Sequence, residues 1–345
     1  MSLHRFAPLI IEWQRRHGRH DLPWQKSLTP YPVWLSEIML QQTQVSTVKA
    51  YFERFIQRFP AVQDLAQAEL DEVMGLWSGL GYYSRARMLH RCAQMVVQEN
   101  GGVFPQDVAA LQKLPGIGPS TAAAIASLCF GQAVSIMDGN VRRVLTRLLA
   151  FGEDLATSAA QKNLNRLAHD LLPTGVWVQS MHQYTQGLMD LGATVCHTRQ
   201  PQCGQCPVKD LCQAHAKGLP TNYPVNTRKL LRRAQSWWLL IPTTAQGAVW
   251  LRKRPASGIW ASLYVPPIYD SHQQALQAVP TVWHARMQVQ TPFVHVLTHR
   301  DLHLHPLHLR VPATSTWGEG QWWAPADWPE LGLPAPLRRL LGPGL

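Results

Sequence analysis

The chain has 345 residues, of which 46% are apolar, and a formal net charge of +11. This length allows two domains with separate cores, and the excess of Lys and Arg favours a polyanionic partner such as nucleic acid. No apolar run approaches the roughly 18–20 residues that cross a bilayer, and the N-terminus has too short an apolar stretch for a signal peptide, so we expect a cytoplasmic protein without a membrane partner.

The first 190 residues show helical patterning and no strand-like alternation, which predicts an all-α domain. Apolar residues recur at helical spacing over residues 6–16, from 30 onwards, and over 48–59, 70–77, 86–99, 108–114, 120–130, 141–149, 159–172 and 178–191.

The helix that Thr29 and Pro30 open contains a single charged residue, Glu37. Its neighbours in sequence are large and apolar, so we expect partial burial that raises its pKa and lets it donate a proton near neutral pH. The alternative is a glutamate on the one solvated face of the helix, paired with Gln41. The polar residues that follow, 41–44, are candidates to line a groove.

Two glycine-containing turns interrupt the helices. The stretch G-L-G-Y-Y-S-R-A-R at 79–87 suits a phosphate or base-stacking contact, and equally an ordinary turn between helices. The stretch L-P-G-I-G-P-S-T at 114–121 places Gly116 and Gly118 in a tight turn, with Pro119 opening the next helix. The free N–H groups at that helix N-terminus predict an anion site that a DNA phosphate would fit.

Asp138, in M-D-G-N, is the one carboxylate between Asp107 and Glu153. Together with the glycine turn it places an isolated acid close in sequence to a candidate phosphate site. The alternative is a Gly-Pro turn between two helices and an aspartate that caps the next helix.

Four of the six cysteines lie within seventeen residues, in the pattern C-x6-C-x2-C-x5-C. Such a cluster in an intracellular protein indicates metal ligation before disulfides. Coordination chemistry permits either a tetrahedral zinc or an iron–sulfur cluster. The ligands would be Cys196, Cys203, Cys206 and Cys212, whereas Cys92 and Cys129 fit apolar helices as core thiols.

After a Pro-rich, basic linker at 219–233, the composition changes. Residues 226–345 contain twelve Lys and Arg against five Asp and Glu, and nine of the fourteen tryptophans. Alternating runs at 236–242, 248–254, 293–299 and 302–311 predict strands, with a helix near 273–278. We therefore expect a second, α+β domain. We interpret its histidines as solvated side chains on a strand face and not as metal ligands: His295, His299, His303, His305 and His308.

Four features occur in this order: the apolar helix with Glu37, the glycine hairpin, M-D-G-N and the cysteine spacing. Together they resemble the helix-hairpin-helix DNA glycosylase superfamily, in its iron–sulfur branch. Within that branch the chain is similar to the adenine DNA glycosylases, the MutY family. The resemblance is strong over about 5–215 and looser over 230–340. It implies a multidomain protein: an all-α catalytic domain at 1–218, with the hairpin at about 108–130 and a cluster loop at 196–212, then the linker and a Nudix-like (MutT-like) α+β domain at 234–345.

The resemblance also implies roles for individual residues. Glu37 matches the general acid that protonates adenine at N7, Asp138 the carboxylate that stabilises the cationic sugar, and Asn140 a residue that orients this pair. The four cysteines match the ligands of a 4Fe–4S cluster. The DNA-binding residues implied are the duplex wedges Gln42 and Tyr82, the hairpin positions Gly116, Gly118 and Ser120, and the pocket residue Trp24.

The implied activity is excision of adenine mispaired with 8-oxoguanine or guanine in double-stranded DNA, by a monomer associated with the nucleoid. Ser120 stands where endonuclease III has the lysine that cuts the strand, so we expect a monofunctional glycosylase. The other hypotheses are a pyrimidine or thymine-mismatch glycosylase and a DNA-binding module without catalysis.

The second domain lacks the carboxylate-rich Nudix metal box, so nucleotide hydrolysis is not expected. The resemblance implies lesion recognition by Thr298 and His299, while Leu297 replaces the aromatic residue of the family's loop.

Overall fold

The computed structural model describes residues 3–228 and 231–342, so residues 229 and 230 of the predicted linker, the first two residues and the last three lie outside the described residues. The chain divides into two compact units, Met1–Ala66 with Arg91–Arg228, and Gln67–His90 with Lys229–Leu345. None of the helices in the described ranges is both long and apolar enough to cross a membrane.

The N-terminal part of the chain is helical, as predicted. The helices are α1 Phe6–His17, α2 Pro30–Leu40, α3 Val45–Arg58, α4 Val62–Gln67, α5 Leu70–Trp77, α6 Ser84–Asn100, α7 Val108–Leu111, α8 Pro119–Phe130, α9 Gly139–Leu148, α10 Ser158–His169, α11 Met181–Thr194 and α12 Gln213–Ala216. Helices α4 and α12, of six and four residues, were not predicted because one or two turns give little periodicity. Helix α7 ends at Leu111 and not at 114. Pro115 disfavours helical backbone at Leu114, the last residue of the predicted helix.

Helix α8 is the centre of the first unit. Residues 122–126, four of them alanines, are almost completely buried, and the helix packs against α2 and α11. Helix α11 also packs against α9, where Gly192 permits a close approach, because a Cβ atom there would lie 2.6 Å from Cβ of Asn140. This packing fixes the N-terminal turns of α8 and α9 and the C-terminal half of α2 around a common space.

The second unit contains a mixed eight-stranded sheet, which confirms the expected strand-rich C-terminal domain. Its strands are β1 Arg233–Thr243, β2 Val249–Lys253, β3 Tyr264–Val265, β4 Ile268–Tyr269, β5 Met287–Val289, β6 Phe293–Val296, β7 Arg300–Arg310 and β8 Gln321–Trp323, with helices α13 His272–Gln277 and α14 Ala335–Leu341. The main path runs β3-β2-β1-β7-β5. Strands β1 and β7 pair in parallel from Arg233↔Arg300 to Thr243↔Arg310, and the other pairs are antiparallel.

The histidines of β7 do not share one environment. His303 and His305 are half-buried, and His305 stacks on Trp238 with ring centroids 4.3 Å apart. His308 is only 8% exposed, so the interpretation of a solvated side chain was wrong for it. The reason is the two-residue period of a strand: His308 is an even number of residues from Leu302 and Leu304, and it lies on their buried side.

Candidate active site

The predicted catalytic residues line one cleft of the first unit. Glu37 comes from α2, Asp138 and Asn140 from the start of α9, and Gln42 from the turn after α2. The hairpin residues reach the same cleft at the N-terminus of α8: Gly116, Gly118 and Ser120. The isolated carboxylate, the second acid and the candidate phosphate site are therefore brought together by the packing of α2, α8 and α9.

Glu37 is largely withdrawn from water. Its neighbours Trp34, Leu35 and Ile38 are buried, so the helix presents the carboxyl group from an apolar surface. Burial raises the pKa of Glu37 to about 7, and the nearby Asp138 carboxylate adds to the effect. Both causes favour the protonated form, so this side chain can carry a proton at neutral pH.

Asp138 has a different environment. Its Oδ1 accepts a hydrogen bond of 2.7 Å from the backbone N–H of Val141, which makes it the N-cap of α9. Burial raises the pKa of Asp138, but the N–H groups of Val141 and Asn140 and the positive charges of Arg143 and Arg142 act against this rise. The aspartate is thus the helix cap that sequence analysis offered as an alternative, and it also faces the cleft. Of the two carboxyl groups, only Asp138 has donors and cations that stabilise its ionised form.

Asn140 is held by the guanidinium group of Arg143, a residue that also lines the cleft. Nη2 of Arg143 donates to Oδ1 of Asn140 at 2.8 Å and to the carbonyl oxygen of Gly192 at 2.7 Å. Nε of the same arginine donates to the carbonyl oxygen of Cys196 at 2.8 Å. One arginine therefore ties the start of α9 to the end of α11 and to the first cysteine of the cluster loop.

The hairpin differs from prediction at one glycine. Gly116 has φ of 76°, in the left-handed region that favours glycine, as expected. Gly118 has φ of −84°, so its backbone is not strained, and a Cβ atom there would meet nothing within 4 Å. The absence of a side chain at 118 instead leaves open the approach to the N–H groups at the start of α8.

A smaller pocket adjoins the cleft and shares Glu37 with it. Trp24 forms part of its wall, as expected of a pocket residue, and its ring packs edge-on against Phe52 at 5.5 Å. Arg19 and Gln186 also line this pocket, and sequence analysis did not identify them.

A buried aspartate organises these two residues. Asp190 is 0% exposed and accepts from the backbone N–H and Nε of Arg19, at 2.9 and 2.8 Å, and from Nε2 of Gln186 at 2.8 Å. The only sequence signal was an aspartate within the apolar helix 181–194, four residues after a glutamine. The partner Arg19 is 171 residues away.

The remaining predicted contact residues lie outside this cleft, in the second unit. Tyr82 has φ of 49° and is 44% exposed. Thr298 and His299 form the turn between β6 and β7, which the bond from the Leu297 N–H to the Arg300 carbonyl closes at 2.8 Å. Gln42 resembles Tyr82 in its left-handed backbone, with φ of 59°. Non-glycine residues with left-handed backbone are uncommon, and they are often found at functional sites.

The four clustered cysteines line a single, mostly apolar pocket of the first unit, together with residues such as Val144 and Leu191. Burial, with the other cysteines adding to it, raises the pKa of Cys206 to about 12. Thiolates in such a place need a positively charged partner. Arg147, only 2% exposed, supplies part of this charge, because its Nη1 donates to Sγ of Cys196 at 3.3 Å.

The lining of this site fits a metal group. Four cysteine side chains surround one apolar space, and each can bind a metal atom through its sulfur as a thiolate. This set of ligands suits a tetrahedral zinc ion as well as an iron–sulfur cluster.

Comparison with known proteins agrees with this geometry. Residues 35–169 match the HhH-GPD superfamily of base excision DNA repair proteins, and residues 237–342 match the NUDIX domain. An adenine DNA glycosylase of Buchnera aphidicola (subsp. Acyrthosiphon pisum, strain APS) is 34% identical, over 99% of this chain and 98% of the relative. The chain belongs to the adenine DNA glycosylase family. It is therefore an enzyme, a DNA glycosylase of base excision repair, and the resemblance seen in the sequence is confirmed.

The adenine DNA glycosylase of Rattus norvegicus matches a shorter part of this chain. It is 46% identical over 61% of this chain and 42% of its own length. A solved structure of a thermostable thymine-DNA glycosylase superposes with a TM-score of 0.55 and 28% identity, over 62% of this chain and 97% of that protein. Over that part of the chain the fold is thus shared with a thymine-DNA glycosylase, whereas the similarity along the whole chain is to an adenine DNA glycosylase.

Proposed function

We propose that this chain hydrolyses the N-glycosidic bond of adenine mispaired with 8-oxoguanine or guanine in double-stranded DNA. The observation that supports this most directly is that Glu37 and Asp138 face one cleft with the N-terminus of α8 beside them. Loss of a base from deoxyribose leaves an anionic leaving group and a cationic sugar. One protonated and one ionised carboxyl group meet these two needs, as in glycoside hydrolysis generally.

In the proposed mechanism, each side chain of the site has a separate role. Glu37 donates its proton to the flipped adenine, because its raised pKa keeps the proton available near pH 7. Asp138, held in place by α9, stabilises the positive charge that develops on the sugar. Asn140 keeps the start of α9 in position through Arg143. A water molecule then forms a bond to the sugar carbon from which adenine has left, and the proton that the water loses passes to the Glu37 carboxylate.

The DNA would be gripped at the hairpin and opened beside it. The N-terminus of α8, with Gly116, Gly118 and Ser120, offers N–H groups and a helix dipole to a backbone phosphate. Adenine inside a duplex is out of reach and must leave the stack. Gln42 and Tyr82 are the proposed wedges, and the smaller pocket with Trp24 would receive the base.

We propose that the Nudix-like domain recognises the base opposite the adenine. Thr298 and His299 form a short turn from which a hydroxyl and an imidazole are available to a base edge. Leu297 precedes them, where it offers apolar contact but no aromatic stacking. We further propose that the enzyme acts as a monomer.

Single-turnover assays test this function. Duplexes with adenine opposite 8-oxoguanine, guanine and thymine are incubated with excess enzyme and analysed with and without alkali. We expect adenine release from the first two duplexes and strand scission only after alkali, because Ser120 supplies no amine. Absence of release from the 8-oxoguanine duplex would refute the proposed substrate, and scission without alkali would refute the monofunctional mechanism. Excision of a mispaired thymine instead would favour the thymine-mismatch hypothesis.

We also propose that the cysteine site holds a 4Fe–4S cluster, which would join the 196–212 loop to α9 and α11 as a structural group. Protein purified without oxygen should then carry about four iron atoms per chain. Cys206→Ser is expected to lose most of this iron and to unfold at a lower temperature, since metal binding and folding are coupled. Iron content and visible absorption measure the first effect, and calorimetry the second. Cys129→Ala, in α8, serves as the control and should keep its iron; one zinc per chain in the unmodified protein would contradict the proposal.

A further inference from the structure

The turn between α5 and α6 holds Tyr82 in an unusual position. Three residues of this turn have left-handed backbone, Gly79 at φ of 100°, Gly81 at 77° and Tyr82 at 49°. Glycine adopts this conformation freely, but tyrosine does so only when surrounding contacts enforce it. The contacts around the turn therefore determine where the exposed Tyr82 ring points.

Some of these contacts are local. Nε1 of Trp77, at the end of α5, donates to the carbonyl oxygen of Gly81 at 2.9 Å. The guanidinium group of Arg85, in the first turn of α6, lies over the Tyr82 ring at 5.2 Å and over the Trp77 ring at 5.3 Å. These contacts hold the Gly81 carbonyl and the Tyr82 ring from α5 and α6.

The other contacts come from the far end of the chain, within the same compact unit. The Tyr83 hydroxyl accepts from the Gly79 N–H at 3.1 Å and donates to the carbonyl oxygen of Leu333 at 2.6 Å. Ser78 Oγ donates to the same carbonyl at 2.9 Å and accepts from the Leu333 N–H at 3.2 Å. Nε of Arg338, on α14, donates to that serine at 2.8 Å. Both ends of the turn are thus bound to one residue, 250 positions after Tyr83.

We propose that Tyr83 is a positioning residue for base flipping: its hydroxyl fixes the turn to the backbone at Leu333 and thereby holds Tyr82 ready to enter the duplex. This inference rests on the proposed function, because it takes Tyr82 as a wedge. It gives the C-terminal segment a role in extruding adenine that is separate from reading the opposite base.

The test compares three variants of the full-length chain. Tyr83→Phe removes only the hydroxyl. Tyr264→Phe is the matched control, since its hydroxyl also ties the 67–90 segment to the sheet domain, through Asp71 at 2.9 Å, but at the start of α5 and away from the turn. Tyr82→Ala removes the proposed wedge. Each variant is assayed for single-turnover adenine release opposite 8-oxoguanine, for thermal unfolding, and for the fluorescence of 2-aminopurine at the target position, which increases on unstacking.

Tyr83→Phe removes two neutral hydrogen bonds, the one from the Gly79 N–H and the one to the Leu333 carbonyl. We therefore expect it to release adenine at least about fivefold more slowly and to show a smaller fluorescence increase. Tyr264→Phe should match the unmodified enzyme in both, although its unfolding temperature decreases by a similar amount to that of Tyr83→Phe. Equal loss of rate in the two tyrosine variants would overturn the inference, since the hydroxyl would then be a general tether. The inference would also be overturned if Tyr83→Phe released adenine at the rate of the unmodified enzyme, with the same fluorescence increase, while Tyr82→Ala was slow. If Tyr82→Ala itself is unimpaired, the proposed wedge fails independently of Tyr83.

Discussion

Glu37→Gln is expected to reduce the single-turnover rate of adenine release by about 10²- to 10⁴-fold, the range that a positioned general acid contributes. Glutamine keeps the size and hydrogen-bonding capacity of the side chain but has no proton to give at neutral pH. Binding to the 8-oxoguanine duplex should remain within about threefold of the unmodified enzyme, because the hairpin and the cleft walls are unchanged. The two quantities are measured by quenched single-turnover kinetics and by fluorescence anisotropy.

The pH dependence supplies an independent check. The acid must be protonated to act, and burial beside Asp138 raises the pKa of Glu37 to about 7. Below this pH the rate of the unmodified enzyme should hold until the pH is low enough to protonate Asp138, and well above it the rate should fall about tenfold per pH unit. The residual rate of Glu37→Gln should lack this decline. A decline of the same slope in the variant would assign the titration to another group.

The same variant should be more stable than the unmodified enzyme at pH 8. Below about pH 4.5 the carboxyl is protonated in both folded and unfolded chains, so it affects stability little. As the pH rises towards 7, the unfolded chain loses its proton and the folded chain keeps it, which lowers the free energy of unfolding. A pKa that moves from 4.5 to about 7 corresponds to a cost of about 3 kcal/mol, fully present above pH 7.

Urea unfolding at pH 5 and pH 8 measures this cost. We expect the stability advantage of Glu37→Gln to grow by about 2 kcal/mol between the two pH values. Glu99→Gln, at an exposed position of α6, is the matched control and should change neither rate nor stability. A Glu37→Gln enzyme that works within threefold of the unmodified rate would remove Glu37 from the mechanism.

Features encoded by neighbouring residues were predictable from the sequence. The periodicity at 70–77 gives α5 with both ends correct, and the apolar neighbours of Glu37 predict the environment that raises its pKa. The cysteine spacing likewise predicts a shared site, since so few residues separate the ligands. In each case the physical cause lies within one or two turns of chain.

Features that depend on distant segments were not predictable. The pairing of Arg19 with Asp190 and that of Tyr83 with Leu333 join residues 171 and 250 positions apart, and no local pattern marks either partner. The sequence also presents the two roles of Asp138, helix cap and catalytic group, as alternatives. In the structure its position at the first turn of α9 allows both.

Asp138→Asn separates these two roles and is expected to slow adenine release by about 10²- to 10³-fold, as removal of one electrostatic stabiliser of a transition state does. Asparagine caps helices about as well as aspartate. Its side-chain oxygen can still accept from the Val141 N–H, which now lies 2.7 Å from Oδ1. The variant should therefore unfold at nearly the same temperature, and the loss of rate reports the missing charge alone.

Asp138→Ala completes the comparison. It should lose the same activity and, in addition, about 1 kcal/mol of stability, because the first turn of α9 loses its cap. Asp107→Asn makes the identical change at another capping aspartate, whose Oδ1 accepts from the Ala110 N–H at 2.9 Å at the start of α7, and it should keep full activity. If Asp138→Asn works at the unmodified rate while Asp138→Ala is both slow and unstable, the carboxylate serves only as a cap. In that case the sugar cation must be stabilised by the phosphates of the DNA and the dipoles of the cleft. Glu37 would then be the one catalytic carboxyl group of the site.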